Sequence, residues 1–157
     1  MKQTFITLTL LIFSLYRVWG VSPYTQWTNG PSDDPSFFPI GVWLQQTDIA
    51  DTYAAMGINM YINYLGDDSL DEELVKIGNA GMTTSLRQTT ERLNCSQIST
   101  ITMWAQQDEP DNAQALPGGG YGDPVDPLVI QAIYNDYVNQ DSTRPVFLNL
   151  GRGVSDE

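Results

Sequence analysis

Along the chain, short apolar runs alternate with stretches in which apolar residues recur every three or four positions. This is the pattern of strands alternating with amphipathic helices. Residues 37–44 read as a first strand, and residues 47–56 as a helix with Ile49, Tyr53 and Met56 on one face and Gly57 as its stop. Residues 58–64 read as a second strand. Ser69 and Glu72 then have the spacing of a capping box, and Leu70, Leu74 and Ile77 share one helical face before Gly81. Residues 82–86 form a third strand, residues 87–99 are polar and weakly periodic, and residues 101–105 form a fourth strand. A long Pro- and Gly-containing loop over residues 106–126 leads to a helix with Asp126 as N-cap and Pro127 at its first position. Ile130, Ile133, Tyr134, Tyr137 and Val138 make its stripe. Residues 144–150 read as a fifth strand.

Such alternation predicts an α/β fold of parallel βαβ units. About five units are present in the 157 residues, whereas a closed (β/α)8 TIM barrel takes eight and typically about 250 residues. The expectation is therefore a partial TIM barrel whose C-terminal strands are missing. An open doubly wound sheet is the competing architecture. It is disfavoured because Gln45-Gln46-Thr47, and not a Gly-rich phosphate turn, follows the first strand.

Residues 1–20 have the features of a signal peptide: Lys2, an apolar run over residues 5–15, and Val18-Trp19-Gly20 as a cleavage site. The run is short for a membrane span, which leaves an uncleaved anchor as the lesser alternative. The expected organisation is a signal peptide at 1–20, a polar lead-in at 21–36 and the N-terminal part of a barrel domain at 37–157, in a secreted or periplasmic protein.

Charge narrows the partners. Cleavage after Gly20 would remove Lys2 and Arg17 from the 7 basic residues and none of the 19 acidic ones, taking the net charge from −12 to −14. A surface so acidic disfavours nucleic acid and, in the mature form, a membrane; it suits neutral polymers or cations, or simply solubility. Cys95 is the one cysteine, so no intrachain disulfide forms. With no histidine in the chain, histidine-dependent nucleophiles and imidazole zinc sites are excluded, and carboxylates must carry any acid–base chemistry. No cofactor and no metal are expected.

In a parallel barrel the working residues project from the carboxyl ends of the strands. Those positions here hold Trp43 and Gln45, Asn63 and Tyr64, Arg87, Asp108 and Glu109, and Asn149. Aromatic faces stack on sugar rings, and amide and guanidinium groups satisfy buried hydroxyls. The set therefore suggests a carbohydrate cleft, although any single aromatic, Trp43, Tyr61 or Trp104, fits an ordinary core position better. Tyr121, within Gly118-Gly119-Gly120-Tyr121-Gly122, adds a stacking surface on a flexible loop. Glu109 is the candidate general acid: Asp108 and Asp111 flank it, and like charge favours a protonated carboxyl. The same four residues, Asp108 to Asp111, also fit a solvated acidic turn.

The run Trp104-Ala105-Gln106-Gln107-Asp108-Glu109-Pro110-Asp111-Asn112 resembles the strand-four segment of glycoside hydrolases with a catalytic TIM barrel, in which an Asn-Glu-Pro or Asp-Glu-Pro segment carries the acid/base glutamate. Residues 40–45 and 55–61 resemble the first two units of secreted bacterial members. The resemblance implies O-glycosyl hydrolysis by a retaining, two-carboxylate mechanism, with Glu109 as acid/base and a nucleophile at the end of a seventh strand outside this chain. Asp108, adjacent on an extended strand end, should point away from Glu109 and is not expected to be that partner. Two alternatives stand beside it. One is a non-catalytic carbohydrate-binding module using Trp43, Tyr64 and Tyr121. The other is a metal-dependent hydrolase with Asp108, Glu109 and Asp111 as oxygen ligands.

Overall fold

The computed structural model of the protein describes residues 21–153. The expected signal peptide, residues 1–20, lies outside them.

Five parallel strands form one sheet: β1 (Gly41–Gln46), β2 (Met60–Leu65), β3 (Thr83–Arg87), β4 (Ile101–Ala105) and β7 (Val146–Phe147). They lie in the order β1-β2-β3-β4-β7. Among the described residues each strand of this sheet is the neighbour of the one before it, without the reversal of order that defines a doubly wound fold. Two further short strands, β5 (Gln114–Ala115) and β6 (Tyr121–Gly122), pair antiparallel. They give a hairpin to the segment that the sequence reads as a flexible loop carrying Tyr121.

The helices are α1 (Ala50–Ala55), α2 (Leu70–Asn79), α3 (Thr90–Leu93) and α4 (Pro127–Gln140). At α2 the capping box forms as the spacing requires, with Ser69 accepting from the Glu72 N–H and the Glu72 carboxylate accepting from Ser69. Gly57 (φ 87°) and Gly81 (φ 71°) then end α1 and α2 in the left-handed region. Asp126 caps α4 by accepting from the Leu128 N–H at 2.8 Å, and Pro127 takes the first helical position. The first helix is shorter than its periodicity suggests, because residues 47–49 wind as a 3-10 turn. The polar segment after β3 yields α3, a single turn capped by Thr89.

Two strand limits differ from the sequence reading for local reasons. Residues 37–40 are held by Asn59 and Met60 ahead of the regular ladder: the Asn59 side chain accepts from the Ile40 N–H at 2.9 Å and donates to the Phe38 carbonyl at 2.8 Å, and the Ile40 carbonyl accepts from the N–H groups of Asn59 (3.0 Å) and Met60 (3.2 Å). At β7 the strand shrinks to two residues, because Arg144 is buried as a tie and does not extend as a ladder residue. Its guanidinium donates to the carbonyls of Ile101 (2.7 Å) and Ile98 (3.1 Å) and to Asp141 (2.7 Å).

The helices pack on one sheet face through two apolar clusters. Ala50, Tyr61, Ile77 and Met82 form the first, joined by Val42 and Tyr53. Leu74, Leu86, Ile101, Trp104 and Tyr137 form the second, joined by Leu93, Ile133 and Val146. Burying side chains of this size contributes roughly 1.5–3 kcal/mol each. A bulge between Thr84 and Ser85 on the β3–β4 ladder lets Ile101 and Trp104, three positions apart, both reach the second cluster.

The lead-in is docked. A 3-10 turn at Pro23–Gln26 is capped by Ser22, and Tyr24 meets Trp27 and Phe37 ring to ring. Asn29 binds Thr143 through backbone and side chain, both at 2.9 Å. The segment thus begins beside β7 and enters β1, so it links the two edges of the sheet at the amino ends of the strands.

Candidate functional site

At the carboxyl ends of the strands lies a cavity of about 330 Å³. Trp43 lines it from β1, Asn63 from β2, Arg87 from β3, Asp108 from the segment after β4, and Asn149 from the segment after β7. Five of the residues singled out by their strand-end positions therefore meet round one hollow. Ala105, Gln106 and Phe147 complete the wall with Arg92, which comes from α3. Arg92 escapes a strand-end reading because it sits in the weakly periodic segment. The available signal was its place three residues after Thr89, whose side chain accepts from the Arg92 N–H.

Gln45 and Tyr64 leave the rim, which corrects their assignment to the cleft. Leu44 (φ 49°) and Asn63 (φ 52°) both occupy the left-handed region. A residue in that conformation interrupts the two-residue alternation of a strand. Beyond it, Gln45 turns to the helix side and accepts from the Tyr53 hydroxyl at 3.0 Å. Tyr64 packs against both apolar clusters, and burial pushes its hydroxyl pKa up. Tyr121 projects from the hairpin, 77% exposed, and is not part of the cavity wall.

Glu109 lies beside the cavity and not in its wall. It too has a left-handed backbone, at φ 44°, and it is Asp108, not Glu109, that joins the lining. Glu109 is exposed. One oxygen, Oε2, accepts from the Asn112 side-chain amide at 2.7 Å. Asp108 accepts from the Asn149 amide at 2.7 Å.

The whole Asp-Glu-Pro-Asp-Asn turn is stitched to the segment after β7. The Glu109 N–H donates to the Asn149 carbonyl (3.1 Å), Asp111 accepts from the Gly151 N–H (2.6 Å), and Asn112 accepts from the Gly153 N–H (3.1 Å). Gly153 is glycine for want of space, since a Cβ there would come within 2.1 Å of the Asp111 carbonyl oxygen. Pro110 is fully buried beneath the turn. Asp111 and Asn112 therefore build the turn and leave Asp108 and Glu109 at the surface.

Left-handed conformations in non-glycine residues cost on the order of 1–3 kcal/mol each and concentrate at functional sites. Here the three among the described residues, Leu44, Asn63 and Glu109, all lie at the carboxyl ends of β1, β2 and β4. Among the described residues no three of His, Cys, Asp and Glu converge to hold a metal ion, so Asp108, Glu109 and Asp111 do not form the ligand group considered above. No described helix is long and apolar enough to cross a membrane.

Comparison with protein-family models, with curated proteins and with solved structures gives no match to this chain.

Proposed function

We propose that the chain is the N-terminal part of a secreted glycoside hydrolase of (β/α) barrel type, with Glu109 as general acid/base. The observation that carries the reading is the convergence of Trp43, Asn63, Arg87, Asp108 and Asn149 on one cavity at the carboxyl ends of the strands, the end where barrel enzymes build their sites. The sequential strand order supports a barrel over a doubly wound sheet. So does the lead-in that joins both sheet edges at their amino ends.

In this reading a sugar ring stacks on Trp43, its hydroxyls meet Asn63 and the Asp108–Asn149 pair, and Glu109 reaches the glycosidic oxygen from the wall's edge. The Asn112 amide, which donates to Glu109 Oε2, orients that carboxyl group. The second carboxylate of the mechanism is assigned to a strand following β7, and residues 1–20 direct export.

The test is hydrolysis of an oligosaccharide panel by the full-length protein. Glu109→Gln is expected to lower turnover about 100- to 10,000-fold with its melting temperature unchanged. Near-normal rates in that variant end the proposal.

A second reading, a non-catalytic sugar-binding module, is favoured by one observation: Asp108, and not Glu109, is the carboxylate in the wall. Calorimetric binding by the full-length protein without cleavage of any panel member would establish it in place of the first.

A further inference from the structure

In an acidic chain with 7 basic and 19 acidic residues, cations find partners easily. Lys76 lies 2.6 Å from Asp48, 2.7 Å from Asp68 and 3.5 Å from Glu73, and Arg144 lies 2.7 Å from Asp141. Arg87 and Arg92 are different. Both line the cavity, and among the described residues neither has a carboxylate within ion-pair reach.

Arg92 is fixed in place, half-buried, with its NH1 donating to the Arg87 carbonyl at 2.8 Å and its N–H capped by Thr89. A guanidinium carries five N–H donors in a rigid fork suited to planar or tetrahedral oxyanions, and this single bond leaves most of them unused. The acidic member of the wall, Asp108, is occupied by Asn149 at the ends of β4 and β7. The cavity is therefore cationic towards the end of β3, and its one carboxylate stands apart from the two guanidinium groups in sequence, paired with an amide beside β7.

From this we infer that the cavity takes an anionic saccharide, one whose ring carries a carboxylate or sulfate held by Arg87 and Arg92. The inference rests on the sugar-binding reading above and names the substrate class within it. It also reverses the expectation that so acidic a protein meets neutral polymers. Charges beyond about 8–10 Å are screened at physiological salt, so the local pair, and not the net charge, decides what enters. At about 330 Å³ the cavity lies at the small end of ligand pockets, which fits one charged ring.

Calorimetry on the full-length protein tests the idea with a uronic acid trisaccharide, its methyl ester, a sulfated trisaccharide and inorganic sulfate. The acid is expected to bind at least about tenfold more tightly than the ester, with the gap closing as salt rises. Arg87→Gln and Arg92→Gln should each shrink that gap, with thermal melts showing that the variants are folded. Trp43→Ala should weaken acid and ester alike. A sulfated sugar binding as the uronate does would support an oxyanion site of either kind. Equal affinity for acid and ester would overturn the inference and leave the sugar reading standing. Absence of binding to any saccharide would overturn both, and inorganic sulfate binding as tightly as the sulfated sugar would remove the saccharide from the proposal.

Discussion

Leu44 and Asn63 stand opposite one another across the β1–β2 ladder, between the paired residues Trp43↔Ile62 and Gln45↔Tyr64, and both have left-handed backbones, at φ 49° and 52°. Matched departures of this kind keep the ladder in register while reversing which face the following side chains reach. Trp43 and Asn63 line the cavity, although Tyr61, two positions before Asn63, faces the helices, and Gln45 and Tyr64 lie on the helix side.

The left-handed backbone at Leu44 is a testable cost. Leu44 retains 43% of its surface, so removing its side chain loses little burial. Leu44→Gly is expected to be neutral or stabilising by up to about 1 kcal/mol, and the β-branched Leu44→Val to destabilise by about 1–2 kcal/mol. Urea denaturation of the two variants checks the order, and equal stability would show that the conformation is not strained.

Glu73 organises the helix side of the molecule. It is buried at 1% exposure, accepts from the Thr47 hydroxyl and, at 3.0 Å, from the Asp68 N–H, and lies beside Lys76. Hydrogen bonds to Asp48 and then Asp68 raise the Lys76 pKa, so that cation is present at any neutral pH. Glu73→Ala should cost about 2–4 kcal/mol. Gly66 abuts the same carboxyl, and a Cβ added to it would fall 2.2 Å from the carboxyl carbon. Gly66→Ala should therefore be destabilising alone and nearly harmless on top of Glu73→Ala. A double-mutant cycle of unfolding free energies reads this coupling, and simple additivity would refute it.

Acid stability follows from Asp141. Burial works to raise its pKa, but hydrogen bonds from Thr143, Arg144 and Trp104 win and hold it at about 2, against an ordinary 3.8. A folded-state pKa below the unfolded one contributes stability that is complete above about pH 4 and is lost as pH falls towards 2. The contribution is on the order of 1 kcal/mol after allowance for solvent screening. Asp141→Asn should flatten the stability profile in that window. A profile as steep as that of the parent protein would show that other carboxylates set it.

At the cavity, Asn149 positions Asp108 by its side chain but anchors the Glu109 N–H by its backbone carbonyl. Asn149→Ala should thus weaken saccharide binding several-fold while costing under about 1 kcal/mol of stability. Asn149→Asp, which sets like charges in contact, should bind worse than the alanine variant. Calorimetry and thermal melts on the same samples separate the two effects, and an alanine variant that binds normally would remove Asp108 from the site.

Local grammar carried most of the fold. The capping box at Ser69 and Glu72, the glycine stops at Gly57 and Gly81, and Asp126-Pro127 at the head of α4 all act within a few residues of themselves, and each forms as its spacing dictates. The strand-end positions of Trp43, Asn63, Arg87, Asp108 and Asn149 were legible for the same reason, because parallel strands joined by helices bring their carboxyl ends together.

What depended on distant partners was not legible. The left-handed turns at Leu44 and Asn63 are held by the ladder between β1 and β2, so Gln45 and Tyr64 could not be seen to leave the rim. Arg144 was taken from its strand by carbonyls more than forty residues away. Arg92 entered the cavity wall by bonding to the end of β3. Hydrophobic period and cap chemistry are short-range properties that a linear chain records directly, whereas the facing of a side chain after an irregular residue, and the partner that a charge finds or fails to find, are settled only when separate segments pack together.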